Sequence, residues 1–240
     1  MKKTLLILCL IIYLFPNNIK GQNEGAAIAA VAGGLVAIGA GIAAVEQMKE
    51  QAELTATEWF LTNHPEYSRF SLKTLAFDGK KLKDMSSTSV ITFTIREFDI
   101  KDNEPELGKK MVLFGFTSFG WINEYGIDFE KVEWFLIDSD EWMNMMIEYS
   151  KVASGEENTE LIKKTLESGK VVNRGIKAKK GDDIDFYKIG GDMYLVTEYS
   201  PEMKFIYNER SLGIYLNETM NLIQIGRGDL INIHEFFFDE

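Results

Sequence analysis

Residues 25–45 form an uncharged run, GAAIAAVAGGLVAIGAGIAAV, composed mostly of alanine and glycine. Small residues recur in it at every fourth position, namely Gly25, Ala29, Gly33, Ala37 and Gly41. Because four residues make about one helical turn, these side chains would line one face of a helix, along which a second backbone can approach closely. The run therefore predicts a helix that packs against another helix.

The environment of this helix follows less directly from its composition. Only seven of the 21 residues are Ile, Val or Leu, and together they supply only about −2 to −4 kcal/mol of insertion free energy. As a lone membrane span the run is therefore marginal, but packing against copies of itself would lower the cost of insertion. We expect a helix that is in a membrane or inserts into one; the alternative is a buried helix or a self-associating stalk outside a membrane.

The N-terminus has the pattern of an export signal. Lys2 and Lys3 precede an apolar stretch, residues 5–15, that is too short to span a bilayer. Cleavage is expected after Gly21, although the bulky Ile19 two positions earlier leaves an uncleaved anchor as the alternative. Cleavage would remove the single cysteine, Cys9, and with it any disulfide, thiolate metal site or cysteine nucleophile.

The charge of the chain restricts its partners. It has 26 Lys and Arg against 37 Asp and Glu, a net charge of −11. Such acidity repels phosphate backbones, so a nucleic acid is not expected as a partner. The expected partner is another copy of the chain or another protein of the membrane or cell envelope, and no cofactor is indicated.

The periodicity of apolar residues changes along the chain. Helical spacing continues after the run up to residue 64, just before Pro65, and then Ile91, Phe93 and Ile95 alternate with polar residues as in a half-buried strand. Similar segments occur at 70–77, 110–117 and 131–137.

Two helices are expected after these strands. Asp138 and Glu141 resemble a capping box at the start of the first helix, and Gly169 ends the second. Residues 183–238 are expected to return to strands, with a hairpin turn at Arg227 and Gly228 and with His234 inside a strand.

These expectations define a fold class and three segments. The class is α+β: a long N-terminal helix rich in alanine and glycine, followed by a mostly antiparallel sheet domain with two packed helices. The segments are a signal peptide at 1–21, the apolar helix continuing into an amphipathic helix at 22–64, and an acidic α+β domain at 65–240.

No motif identifies a reaction or a metal. Gly39, Gly41 and Ala44 imitate the dinucleotide fingerprint, but no second strand ending in an acidic residue follows. The aspartates at 182–185 lack the glycine and the distal glutamate of a calcium loop, and the two histidines, His64 and His234, lack metal-site spacing. Catalysis therefore has no positive support, and no catalytic or metal-binding residue is named.

Aromatic residues are dense between residues 114 and 142, where they are expected to fill the core. The loop GWINEYG differs because glycine and polar groups surround its aromatic side chains. Trp121, Asn123 and Tyr125 are accordingly the candidate recognition residues of this chain.

The sequence thus favours an exported structural or interaction protein of bacterial type. It would face the periplasm at the membrane of the cell envelope or be secreted, and it would self-associate or insert through the helix face that carries Gly33. The first alternative is a secreted effector that forms pores through the same helix. The second is a hydrolase whose site residues are dispersed along the chain.

Overall fold

The structure, a computed structural model, describes residues 42–77, 89–123, 126–179, 181–186 and 194–239. Within these ranges the chain forms four α-helices and eleven strands in three antiparallel sheets, together with a ribbon of two further two-residue strands. The helices are α1 (Ile42–Asn63), α2 (Ser139–Ser154), α3 (Thr159–Ser168) and α4 (Arg227–Phe238).

Sheet 1 is the central layer of the fold. Its strands, in spatial order, are β1 (Phe70–Ala76), β2 (Val90–Lys101), β3 (Glu104–Thr117) and β6 (Val132–Ile137), and all neighbours are antiparallel. The ribbon of β4 (Ile122–Asn123) and β5 (Gly126–Ile127) lies in the connection between β3 and β6. The strands predicted at 70–77, around Ile91, at 110–117 and at 131–137 are confirmed.

Helix α1 covers one face of sheet 1. Met48, Ala52, Ala56 and Phe60 recur at intervals of four residues, so they share one side of the helix, and all four are buried in a cluster with Phe93 and its neighbours. The two alanines allow the helix backbone to lie close to the strands. Helix α1 is therefore part of the folded domain.

The opposite face of sheet 1 carries the larger core. Val112, Phe114 and Phe116 of β3 point into it and meet residues of α2, α3 and α4. Two further sheets complete this side. Sheet 2 consists of β10 (Tyr194–Glu198), β11 (Met203–Asn208), β12 (Ser211–Leu216) and β13 (Asn221–Gly226), and sheet 3 consists of β7 (Gly169–Val172), β8 (Gly175–Ala178) and β9 (Ile184–Asp185).

Both helices predicted after the first strands are confirmed, and Asp138 and Gly169 lie at their ends as expected. The Asp138 side chain caps α2 by accepting hydrogen bonds from the backbone N–H groups of Asp140 and Glu141, at 3.0 Å each. Gly169 follows α3 directly, as expected. A Cβ atom at Gly169 would lie 2.6 Å from the carbonyl oxygen of Lys177, so only glycine fits where α3 turns into β7.

The predicted fold class is wrong in two respects. The C-terminal segment is not a strand, because Arg227–Phe238 forms α4 and His234 lies within this helix. Leu230, Ile233 and Phe237 are buried at helical spacing, and this pattern decides against the strand preference of the neighbouring isoleucines and phenylalanines. Three helices rather than two therefore enter the larger core.

The second correction concerns the N-terminal helix. The helix that the structure describes begins at Ile42, so a long helix rich in alanine and glycine is not shown. The described helix packs onto sheet 1.

Candidate interaction site

The predicted helix-packing residues, Gly25, Ala29, Gly33, Ala37 and Gly41, lie outside the described residues. The first described residue, Ile42, follows Gly41 directly and begins α1. The last four residues of the run, 42–45, therefore belong to α1.

The predicted recognition loop, residues 120–126, is described in part, and its first aromatic residue is buried. Trp121 is only 2% exposed and belongs to the core beneath α1. Its backbone N–H donates to the Ser118 carbonyl at 3.2 Å, and its carbonyl accepts from the Asp128 N–H at 2.7 Å. Phe119 is 67% exposed and precedes Gly120, which adopts a left-handed conformation with φ of 76°. Trp121 thus anchors the loop, and Phe119, which directly precedes the loop, is exposed to solvent.

The structure describes less of the other two predicted loop residues. Asn123 belongs to β4, and the structure describes its backbone only. Tyr125 lies outside the described residues.

A second projecting surface is formed by the far ends of β2 and β3. Strand β1 pairs with β2 only as far as Glu97, and β6 pairs with β3 only from Val112 onward. Residues 98–107 therefore form a two-stranded arm beyond the sheet. Its tip is a two-residue turn in which Asp102 and Asn103 have φ values of 52° and 67°, as a hairpin of this length requires.

One face of this arm is apolar. Phe98 lies opposite Leu107 and Ile100 lies opposite Pro105, so these four side chains share a side of the ribbon. Ile100 is 57% exposed and Leu107 is 62% exposed. The other face carries charged residues, including Asp99, which forms an ion pair with Arg69. The arm is thus an amphipathic projection.

A buried arginine fastens the start of α4. The Nε of Arg227 donates to the Tyr149 hydroxyl at 3.2 Å, Nη1 donates to the Asn173 carbonyl at 3.0 Å, and Nη2 donates to the Glu209 carbonyl. The guanidinium also lies 5.2 Å from the centre of the Phe186 ring. These contacts join α2, the turn after β7 and the turn after β11 to α4. Sequence reasoning missed this role because it placed Arg227 in a hairpin turn.

His234 is enclosed in the core. Its Nε2 lies 3.2 Å from the Leu166 carbonyl oxygen, which can only accept, so Nε2 carries the proton. The Nδ1 atom is buried and has no hydrogen-bond partner among the described residues. Burial lowers the pKa of His234 to about 4. The imidazole is therefore neutral near pH 7 and is packed against Phe238 rather than facing solvent.

A shallow groove of about 310 Å³ lies where α2, α3 and α4 meet. Asp140, Lys163, Glu167 and Phe238 contribute to its walls, so it carries both signs of charge and one aromatic ring. Nearby, burial and the charge of Asp138 raise the pKa of Glu141 to about 7. The volume of this groove is at the lower limit for ligand sites, and its walls carry both signs of charge. It therefore does not point to one class of ligand.

Neither a metal centre nor a membrane span emerges from the described ranges. No three His, Cys, Asp or Glu side chains within them are placed to hold a metal ion together. No helix in the described part of the chain combines the length and the apolar character needed to cross a bilayer.

Comparison with known proteins gives no further guide to the site. No protein-family model, no curated protein and no solved structure matches this chain. Its surfaces must therefore be interpreted on their own physical chemistry.

Proposed function

We propose that this chain is an exported, envelope-associated interaction protein. In this proposal the N-terminal run self-associates or inserts into a membrane through Gly25, Ala29, Gly33, Ala37 and Gly41. The α+β domain displays projecting surfaces to a protein partner on the aqueous side.

The observation that carries this proposal is the attachment of α1 to sheet 1. The last four residues of the run, 42–45, lie in α1, which is fixed by the burial of Met48 and Phe60. The carboxylate of Glu53 reinforces the attachment by accepting from the backbone N–H and the hydroxyl of Thr74, at 2.8 and 2.6 Å. Contacts made by the run would therefore act on the domain through α1.

Two described surfaces suit the display of a protein-binding site. Phe119 stands on a loop anchored by a buried tryptophan, and the arm carries Ile100 and Leu107 beyond the edge of the sheet. Exposed aromatic and aliphatic side chains on rigid supports are typical anchors of protein interfaces, because little conformational entropy is lost when they bind.

The test uses the full chain expressed in a bacterial host, followed by carbonate extraction of membranes and measurement of the detergent-stable oligomer. The variant Gly33→Leu/Gly41→Leu changes the small-residue face. The control, Ala27→Leu/Gly39→Leu, adds leucine side chains outside the small-residue face of the helix. We expect membrane retention of all three proteins and a smaller assembly for the first variant alone.

Two results would contradict the proposal. Complete release of the wild-type protein by carbonate, together with a monomeric state, would remove both insertion and self-association. Equal assembly of the two variants would show that the small-residue face is not the contact.

Pore formation by the same helix predicts a different outcome. Dye-loaded liposomes would leak when the wild-type protein is added and would be protected by Gly33→Leu/Gly41→Leu. In contrast, an interaction protein leaves the liposomes intact. Leakage that depends on Gly33 and Gly41 would replace the proposed function by that of a pore-forming effector.

A further inference from the structure

Sheet 2 has one face that no described element covers. The inner side chains of its strands, including Phe205, Ile214 and Ile223, are buried in the larger core. The side chains that alternate with them point away from the protein. We refer to this outer side of sheet 2 as the open face; Val196 on it is 46% exposed and Leu222 is 45% exposed.

The strand register arranges the open face in two rows. The first row runs across the strands through Val196, Ile206, Gly213 and Gln224, and the second runs through Glu198, Lys204, Tyr215 and Leu222. On the two central strands the first row has Ile206 and Gly213, which are uncharged, and the second has Lys204 and Tyr215.

Gly213 makes the middle of the open face shallow. A Cβ atom at this position would lie 3.2 Å from Cδ1 of Leu222 and 3.3 Å from Cβ of Ile206. The side chains of Ile206 and Leu222 therefore lie close to Gly213 on either side, and together they form a continuous apolar strip across the sheet. Such a strip offers a flat surface rather than a pocket.

The open face is electrically neutral, although the chain is strongly acidic. Its two rows contain one acid and one base, Glu198 and Lys204, whose Oε1 and Nζ atoms are 2.7 Å apart. The whole chain carries a net charge of −11. Two copies of such a chain repel each other, and a neutral patch is where they can approach at the lowest electrostatic cost.

The dimensions of the open face suit a weak contact between two sheets. Four strands about 4.8 Å apart and about five residues long cover roughly 19 by 17 Å. Because the side chains stand out from this plane, two such faces in contact bury on the order of 1,000 Å² of accessible surface, the lower limit of a specific interface. Antiparallel sheets pack face to face about 10 Å apart in this way in β-sandwiches.

We infer that the open face of sheet 2 docks onto the open face of a second copy, forming a two-fold dimer in which two four-stranded sheets make a sandwich. The contact is weak and reversible. It is separate from the helix contact proposed for the N-terminal run, so one contact can fail without the other.

Cross-linking of full-length protein tests this inference. Ile206 lies near the middle of the open face, so in a two-fold sandwich its two copies come close together. Single-cysteine proteins carry Cys9→Ser with either Ile206→Cys or, as the control, Leu54→Cys. Leu54 is 73% exposed on α1 and lies outside the open face. With a short bismaleimide we expect at least tenfold more covalent dimer from Ile206→Cys, and the same excess when Gly33→Leu/Gly41→Leu is also present.

Three results would overturn the inference. Equal cross-linking of the two cysteine proteins would show random encounters, and no dimer from Ile206→Cys would show that the faces do not meet. Dimer that disappears with Gly33→Leu/Gly41→Leu would show that the run alone holds the copies together; this result would leave the proposed function intact.

Sedimentation velocity provides a second measurement on the same background with Gly33→Leu and Gly41→Leu. Leu222→Glu adds charge to the open face, and we expect it to raise the dimer dissociation constant at least tenfold. Leu54→Glu adds the same charge elsewhere and is expected to change it less than twofold. A similar effect of both substitutions would exclude the open face as the contact.

Discussion

At the scale of single residues, burial decides the chemistry of the few polar side chains in the core. Arg227 has three hydrogen-bond partners from separate parts of the chain, so its charge is held by carbonyl and hydroxyl oxygens. His234 has one partner and remains neutral because charging it would leave a cation among apolar side chains. Both residues stabilise α4 in its place.

His234 should make the stability of the protein depend on pH. Its pKa is about 4 in the folded protein against an ordinary value of 6.5. Between these values the unfolded chain binds the proton more readily, so the free energy of unfolding falls as the pH is lowered through this window. By pH 5.5 the free energy of unfolding has fallen by roughly 1 kcal/mol, and by pH 4 it has fallen by about 3 kcal/mol.

The measurement is urea unfolding of the wild type and of His234→Gln at pH 7.5 and pH 5.5. Glutamine can still donate to the Leu166 carbonyl but does not titrate. We expect the wild type to lose roughly 1 kcal/mol more than the variant. The raised pKa of Glu141 acts in the opposite direction, since its stabilising effect is lost as the pH rises from 4.5 to about 7, but it is present in both proteins. Identical losses would show that His234 can be protonated within the fold.

At the scale of elements, α4 is the segment whose structure differs most from its sequence-based interpretation. Gly228 lies in its first turn and has no left-handed backbone angle. A Cβ atom added at Gly228 would meet no other atom within 4 Å. Gly228→Ala should therefore raise the free energy of unfolding by about 0.5–1 kcal/mol, because alanine loses less backbone entropy in a helix.

Urea unfolding of Gly228→Ala beside Gly120→Ala checks this expectation. Gly120 has φ of 76°, which strains an L-residue, so that second substitution should lower stability instead. A loss of stability in Gly228→Ala would favour the turn that the sequence had suggested at this position.

The docking of α1 gives the second prediction at this scale. Phe60 is fully buried and its ring lies 4.8 Å from that of Phe70 on β1. Phe60→Ala should lower the free energy of unfolding by about 3–5 kcal/mol, because it removes a large buried ring and leaves a cavity.

The neighbouring Leu61 is 46% exposed and provides the control. Leu61→Ala should cost less than about 1 kcal/mol in the same urea titration, since most of its side chain already contacts water. Equal costs for both substitutions would mean that α1 is not held on sheet 1 through Phe60.

At the scale of the whole molecule, the excess of acidic residues acts on every copy at once. Ion pairs such as those of Arg69 with Asp99 and Lys204 with Glu198 lie at the surface, where each contributes little. The self-repulsion of a net charge of −11 should therefore outweigh them. Raising NaCl from about 20 to about 200 mM should increase Tm by about 2–4 °C, which corresponds to about 1 kcal/mol.

Differential scanning fluorimetry of the full chain measures this shift, and KCl in place of NaCl controls for a specific effect of sodium. A fall in Tm with added salt would show that ion pairs contribute more to stability than repulsion takes away.

Local patterns in the sequence were sufficient for the elements whose signals are local. Alternation at Ile91 and Phe93, the capping aspartate at 138 and Gly169 each predicted an element that the structure contains. These signals act within a few residues, so they do not depend on the rest of the fold.

Tertiary contacts decided the remaining features. The isoleucines and phenylalanines of residues 227–238 suit a strand in isolation, and only the partners of Arg227 and the burial of Leu230 and Ile233 make this segment a helix. The same applies to Trp121, which sequence spacing left at the surface and packing placed in the core. By itself the sequence determined the acidic character, the small-residue run and most of the local elements. The tertiary structure decided which apolar residues are covered and which remain exposed, because burial depends on contacts between residues far apart in the chain.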